Sequence, residues 1–182
     1  MFSRNISKSA SLIRERLDEQ IHEVKMLQAD IDSHRPSIES MARSADDLLR
    51  SGNARTSKKI EGKLKDILSR YEKLVEKLVQ RAVFLNEVST HLDSFNVNAT
   101  SFEQWFTEMF EVLEMKLTGD DGAARLAEVS RRKDERRRDF DELISSGKAL
   151  VSKKDVTDTM PCKDRIKVRI IIIYIIMTAA LH

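Results

Sequence analysis

Residues 60–117 read IEGKLKDILSRYEKLVEKLVQRAVFLNEVSTHLDSFNVNATSFEQWFTEMFEVLEMKL, and the spacing of their apolar side chains decides the fold. Steps of four and three give Ile60, Leu64, Ile67, Tyr71, Leu74 and Leu78, a polar interruption at Arg81, then Leu85, Val88, Leu92 and Phe95. The count crosses the polar segment 96–101 in phase and lands on Ala99, Phe102, Phe106, Met109 and Leu113, with Trp105 in the same aromatic segment. A flexible linker has no reason to keep count. The stretch therefore predicts one helix in a single register, with these residues as its core.

Composition agrees with that reading. Of 182 residues, 34% are charged and only 5% aromatic, with five Gly and two Pro, the profile of long amphipathic helices rather than of sheets joined by turns. An all-α protein is expected. The 32 basic and 30 acidic residues nearly cancel to a net charge of +2, which argues against a nucleic-acid binder or an acidic tail. A single cysteine, Cys162, allows neither an internal disulfide nor a Cys-based zinc site, and fits a reducing, cytoplasmic compartment.

Upstream, residues 1–14 are basic and Ser-rich and read as a frayed lead-in rather than a transit peptide. A first long helix follows, with Ile13, Leu17, Val24, Leu27, Ile31, Ile38, Met41, Ala45 and Leu48 on two adjacent heptad columns and polar interruptions at Gln20 and His34. Because the count stays in phase on both sides of Pro36, one kinked helix is expected, at a cost of about 3 kcal/mol that packing must offset. Gly52 should end it in a left-handed conformation. Thr56 or Ser57 should then cap the central helix.

Downstream, 118–122 reads as a break. The next helix carries Leu126, Val129, Phe140, Leu143, Gly147 and Leu150 on its stripe, with Lys133 and Arg136 where apolar residues are expected. After the polar run 152–159, Pro161 suits a first helical turn, and Ile166, Ile170, Ile173 and Met177 resume the count.

The chain also repeats itself. A shift of 102 places Val24 on Leu126, Leu27 on Val129, Ile38 on Phe140, Met41 on Leu143 and Leu48 on Leu150, and a shift of 106 places Ile60 on Ile166. A helical period of that size means stacked units in which each neighbour stabilises the next. With this period, the unbroken heptad from Ile60 to Leu113 and the segment Phe102-Glu103-Gln104-Trp105-Phe106, the sequence resembles the spectrin-repeat family. Its units are three-helix coiled coils in which the last helix of one continues into the first of the next. The run from Lys153 to Thr159 before Pro161-Cys162-Lys163-Asp164 is similar to the rods of spectraplakins, the dystonin and microtubule–actin crosslinking group.

The resemblance implies tandem spectrin-like three-helix coiled-coil bundles, both incomplete, joined by a shared long helix. Residues 1–17 are a lead-in with at most the last turns of a first helix, and 18–97 hold second and third helices. Residues 98–167 hold first and second helices and the start of a third, and 168–182 are an atypical Ile-rich tail. The implied function is a structural rod segment of a cytoskeletal linker, acting as spacer and protein-interaction surface, with neighbouring repeats and cytoskeletal filaments as partners through the parent protein. The alternative is a helical adaptor that binds a partner helix, or self-associates, through uncovered apolar grooves.

Candidate sites are few. Arg131, Arg132, Lys133, Arg136, Arg137 and Arg138 form a basic run that could dock an acidic partner, but Asp134 and Arg138 at i, i+4 favour a solvated helix face. The apolar segment from Ile170 to Leu181 is too short, at about 18 Å, to span a hydrocarbon core of about 30 Å. The aromatic set Phe102, Trp105, Phe106 and Phe110 reads as core rather than a ligand box. The four histidines share no metal-ligand spacing, and no phosphate loop or nucleophilic triad is present, so neither cofactor, metal nor enzymatic activity is expected.

Overall fold

A computed structural model describes residues 7–52, 54–114 and 122–168. In chain order these form a short strand β1 (Ala10–Ser11), helix α1 (Arg14–Ser51), helix α2 (Ala54–Glu114), helix α3 (Gly122–Ser152), a short strand β2 (Val156–Thr157) and helix α4 (160–168). The fold is all-α with coiled-coil-like helical packing, apart from the two-residue strands. The central helix is one unbroken element of 61 residues, as the constant register predicts. It passes through Asn96 and Asn98, mediocre helix formers, because Phe95, Ala99 and Phe102 on the same face are at most 4% exposed.

Helix α1 runs through Pro36 without a break. Its end differs from expectation. Gly52 does not adopt positive φ. A Cβ there would instead lie 2.9 Å from the Leu48 carbonyl oxygen and 3.3 Å from Ser57 Oγ, so the position needs a residue without a side chain for reasons of space. Ser57 likewise does not cap the helix that contains it. Helix α2 already begins at Ala54, and the Ser57 hydroxyl donates to the Leu49 carbonyl at 3.4 Å, serving a free carbonyl at the C-terminus of α1.

The described residues divide into two compact units, 7–8 with 17–86, and 9–16 with 87–168. The packing boundary thus lies at Asn86/Glu87, whereas the repeat alignment divides the chain at 97/98. Glu87 and Asp93 belong with the second unit because Lys153 pairs with the first and Arg14 with the second, the latter at 2.7 Å.

In the first unit, α1 packs on the early part of α2. Leu17, Val24, Ile31 and Ala45, one heptad column of α1, are buried against it, together with Leu78 and Leu85. Arg81 is only 8% exposed and lies over the Phe84 ring, 5.6 Å from its centroid, so its guanidinium is sheltered at a core position. The Tyr71 hydroxyl is buried and has no hydrogen-bond partner among the described residues.

In the second unit, α2 and α3 share a core of Val88, Leu92, Phe95, Phe102, Trp105, Met109, Val129, Leu143 and Leu150. Each such side chain removed from water contributes roughly 1.5–3 kcal/mol. Phe102 joins the two helices, with ring centroids 5.3 Å from Trp105 and 5.5 Å from Phe140. Gly147 of α3 is where a third element comes close: a Cβ there would lie 2.6 Å from Phe95 Cε2 and 2.8 Å from Ile166 Cδ1. Helix α4 is held against α2 by Arg165, which donates to Asn96 Oδ1 at 2.7 Å, Thr100 Oγ1 at 3.3 Å and Glu103 Oε2 at 3.1 Å.

Residues 10–12 of the lead-in are held by long-range pairing rather than frayed. Ala10, Ser11 and Leu12 are at most 3% exposed. β1 pairs in parallel with β2, Ala10 opposite Val156 and Ser11 opposite Thr157, and the Ala10 and Leu12 amides donate to the Asp155 and Thr157 carbonyls at 2.7 and 3.1 Å. The polar run that ends α3 is therefore a docking strand for the lead-in. Asp155 and Asp158 flank it with φ of 62° and 55°, a left-handed conformation that aspartate tolerates better than most residues.

Candidate functional site

The expected core residues separate by position. Leu78, Leu85, Val88, Leu92, Phe102, Trp105 and Met109 are buried, Ile60, Leu64, Tyr71, Leu74 and Phe106 are half-buried, and Ile67 is 41% exposed. Ile67 is thus a correction to the stripe, and its cause is physical: among the described residues, α1 is the helix packed on this part of α2, and Ile67 lies on the side of the stripe away from it. Leu113 lies outside the described side chains. Of the aromatic set, Phe102 and Trp105 are core, whereas Phe110 is 47% exposed with its ring centroid 6.2 Å from that of Phe106.

The basic run of α3 is matched by its own helix. Glu128 takes Arg131 and Arg132, both at 2.7 Å, and Arg131 also reaches Glu135. Arg136 pairs with Asp139 at 3.3 Å, Arg138 with Glu142 at 3.5 Å and Lys133 with Asp134 at 3.5 Å. The expected Asp134–Arg138 pair is replaced, because each finds a nearer partner on the same helix. Hydrogen bonds from Arg131 and Arg132 lower the Glu128 carboxyl from its ordinary 4.5 to about 2. The same contact raises Arg131. Arg137 is exposed. With Arg131, Arg132, Lys133, Arg136 and Arg138 matched by carboxylates among the described residues, the run is a largely self-neutralised face, and surface pairs of this kind contribute little stability each.

A polar cluster lies where the lead-in meets the α3–α4 connection. The Ser11 hydroxyl donates to Asp158 Oδ2 at 2.6 Å and accepts from the Ile13 amide at 3.0 Å, satisfying a free donor just before α1. Arg16 Nη1 reaches the same Asp158 oxygen at 3.2 Å. The Ser11 hydroxyl, and then Arg16, hold the Asp158 carboxyl below its ordinary 3.8. Sequence reasoning missed Ser11, Arg16, Asp158 and Arg165, whose partners lie far away in the chain.

Between α2 and α3 a shallow cavity of about 370 Å³ is floored by Phe95 and Leu150 and rimmed by His91, Ser94, Asn98 and Ser146. Cys162 is free and buried, and burial pushes its thiol up, away from the reactive thiolate. Among the described residues no group of three or more His, Cys, Asp or Glu is placed to hold a metal ion, and no helix is long and apolar enough to cross a membrane. The Ile170–Leu181 segment lies outside the described residues.

Heptad-packed helices with their functional groups spent on packing and helix ties define the class as a helical coiled-coil module. Within it, residues 11–87 match the family model of the spectrin repeat, which supports a relationship to that family for this segment and suggests a structural, scaffold role. The matched segment takes in Ser11 of β1, all of α1 and the first part of α2, and it ends at the packing boundary. No curated protein and no solved structure matches the chain.

Proposed function

We propose that the chain is a rod segment of a cytoskeletal linker protein, acting as spacer and protein-interaction surface. It comprises two partial spectrin-like repeats, 18–97 and 98–167, that share α2. The observation that carries this reading is the spectrin-repeat match over 11–87 on a helix that continues without a break to Glu114. In such a segment the chemistry is mechanical, since a helix common to two packed units transmits strain from one to the other. The likeness of residues 153–164 to spectraplakin rods favours a parent protein of that group, with filament crosslinking as its work and the cytoplasm as its compartment. No catalytic step belongs to this reading.

Equilibrium unfolding tests it. In the natural chain, loss of Trp105 fluorescence, which reports the second unit, should coincide with loss of total helicity. Asn86→Pro, at the packing boundary and inside α2, should separate the two transitions by removing one helical hydrogen bond at a cost of about 3 kcal/mol. Transitions that are already separate in the natural chain, or that stay coincident in the variant, would show that α2 does not couple the units.

A second reading, an adaptor that captures a partner helix, is favoured by the exposed seam of the first unit, where Ile67 and Leu48 are 41% and 55% exposed.

A further inference from the structure

Among the described residues, one column of the first unit's coiled-coil seam is exposed or only half-buried on each helix, and the charges along it indicate what fits there. On α1 the column Leu17, Val24, Ile31, Ala45 is buried, while the adjacent column is not: Leu48 is 55% exposed, His34 is exposed, and Leu27 and Met41 are half-buried. On α2, Ile67 is 41% exposed and Ile60 and Leu74 are half-buried. The two helices meet through their other flanks. Leu68, Val75 and Ala82 of α2 are half-buried there, and Arg35 of α1 is raised by its bond to Asp32 and then by proximity to Tyr71.

A heptad wheel places one column on the opposite flank of α2, bordering the open seam: Lys63, Arg70 and Lys77, all exposed. Arg70 is engaged at 2.9 Å by Asp66 of its own helix. The matching border on α1 is Glu23, Asp30, Ser37 and Ser44, acidic at one end and neutral at the other. One edge of the gap is thus basic along three consecutive heptads, and in coiled coils such edges select the partner.

We propose that this seam docks an amphipathic helix of a partner protein that carries acidic residues at heptad spacing on the edge facing α2. The inference rests on the interaction-surface part of the function proposed above and names the chemistry of that partner. An apolar stripe enters between Leu27, Met41, Ile60 and Ile67, and acidic side chains align with Lys63, Arg70 and Lys77. Electrostatic selection at such a rim governs specificity and encounter more than raw affinity, so binding should weaken with salt.

The test uses two fluorescein-labelled synthetic helices with the same Leu/Ile stripe and Ala along one flank, the other flank carrying Glu in one peptide and Lys in the other, titrated with the full chain and read by anisotropy. The Glu peptide should bind about tenfold more tightly than the Lys peptide, as three rim pairs allow. The combined variant Lys63→Glu, Arg70→Glu, Lys77→Glu, checked for unchanged helicity, should invert that preference, and Ile67→Asp should weaken both peptides. Equal affinity for the two peptides, or binding of neither, overturns the proposal. A concentration-dependent dimer that Ile67→Asp abolishes overturns it too, by making the occupant a second copy of this chain. Any of these leaves the spacer reading to its own proline test.

Discussion

At the scale of single residues, the most informative group is Ser11. Its hydroxyl spans 147 positions of sequence to reach Asp158, so no local pattern could have shown it. Ser11→Ala should cost about 1 kcal/mol through the lost bond to the Ile13 amide alone. The carboxyl partner adds a pH signature. Because the folded state lowers the Asp158 value below 3.8, its contribution is fully present above that value and is lost as pH falls through the lowered one. The gap in melting temperature between the natural chain and Asp158→Asn should therefore be largest near neutrality and close on acidification. A gap that is constant with pH would remove the carboxylate from the explanation. Arg81 teaches a related lesson: the sequence shows a charge on the apolar count, but only packing shows that it is sheltered at 8% exposure beside Phe84.

At the scale of elements, the helices were legible and their ends were not. A sustained four-and-three count is a local property of a sequence, and α1, α2 and α3 follow it. Ends depend on which group happens to be near, as Gly52 and Ser57 show. The same contrast separates two helical glycines. Gly62 has nothing within 4 Å of where a Cβ would stand, so Gly62→Ala should stabilise by about 1 kcal/mol through helix propensity. Gly147 would drive a methyl into Phe95 and Ile166, so Gly147→Ala should destabilise, the propensity gain being outweighed by overpacking of about 1–3 kcal/mol. Thermal melts of the pair check both signs, and equal shifts would refute the packing account of Gly147.

At the scale of the whole molecule, the sequence placed the change of unit at 97/98 and packing places it at 86/87. Val97 is 67% exposed and lies inside the second unit. Val97→Pro should therefore lower the stability of that unit by about 3 kcal/mol, seen as early loss of Trp105 fluorescence, whereas Asn86→Pro should change the coupling and spare the Trp105 core. Identical behaviour of the two variants would contradict a boundary at Asn86. The candidate surfaces follow the same division. The basic run of α3 was legible as charge, but Asp134 pairs with Lys133 and Arg138 with Glu142, and only side-chain geometry shows how fully the run neutralises itself.

Heptad periodicity by itself determined the helical class, the continuity of α2 and its apolar face, because all three follow from residue spacing along one element. Tertiary structure alone decided which part of that face is covered, where one unit gives way to the next and how the lead-in is held. Those depend on chain segments far apart in sequence meeting in space, as Ser11 meets Asp158 and Gly147 meets Ile166, and spacing along a single helix carries no record of such meetings.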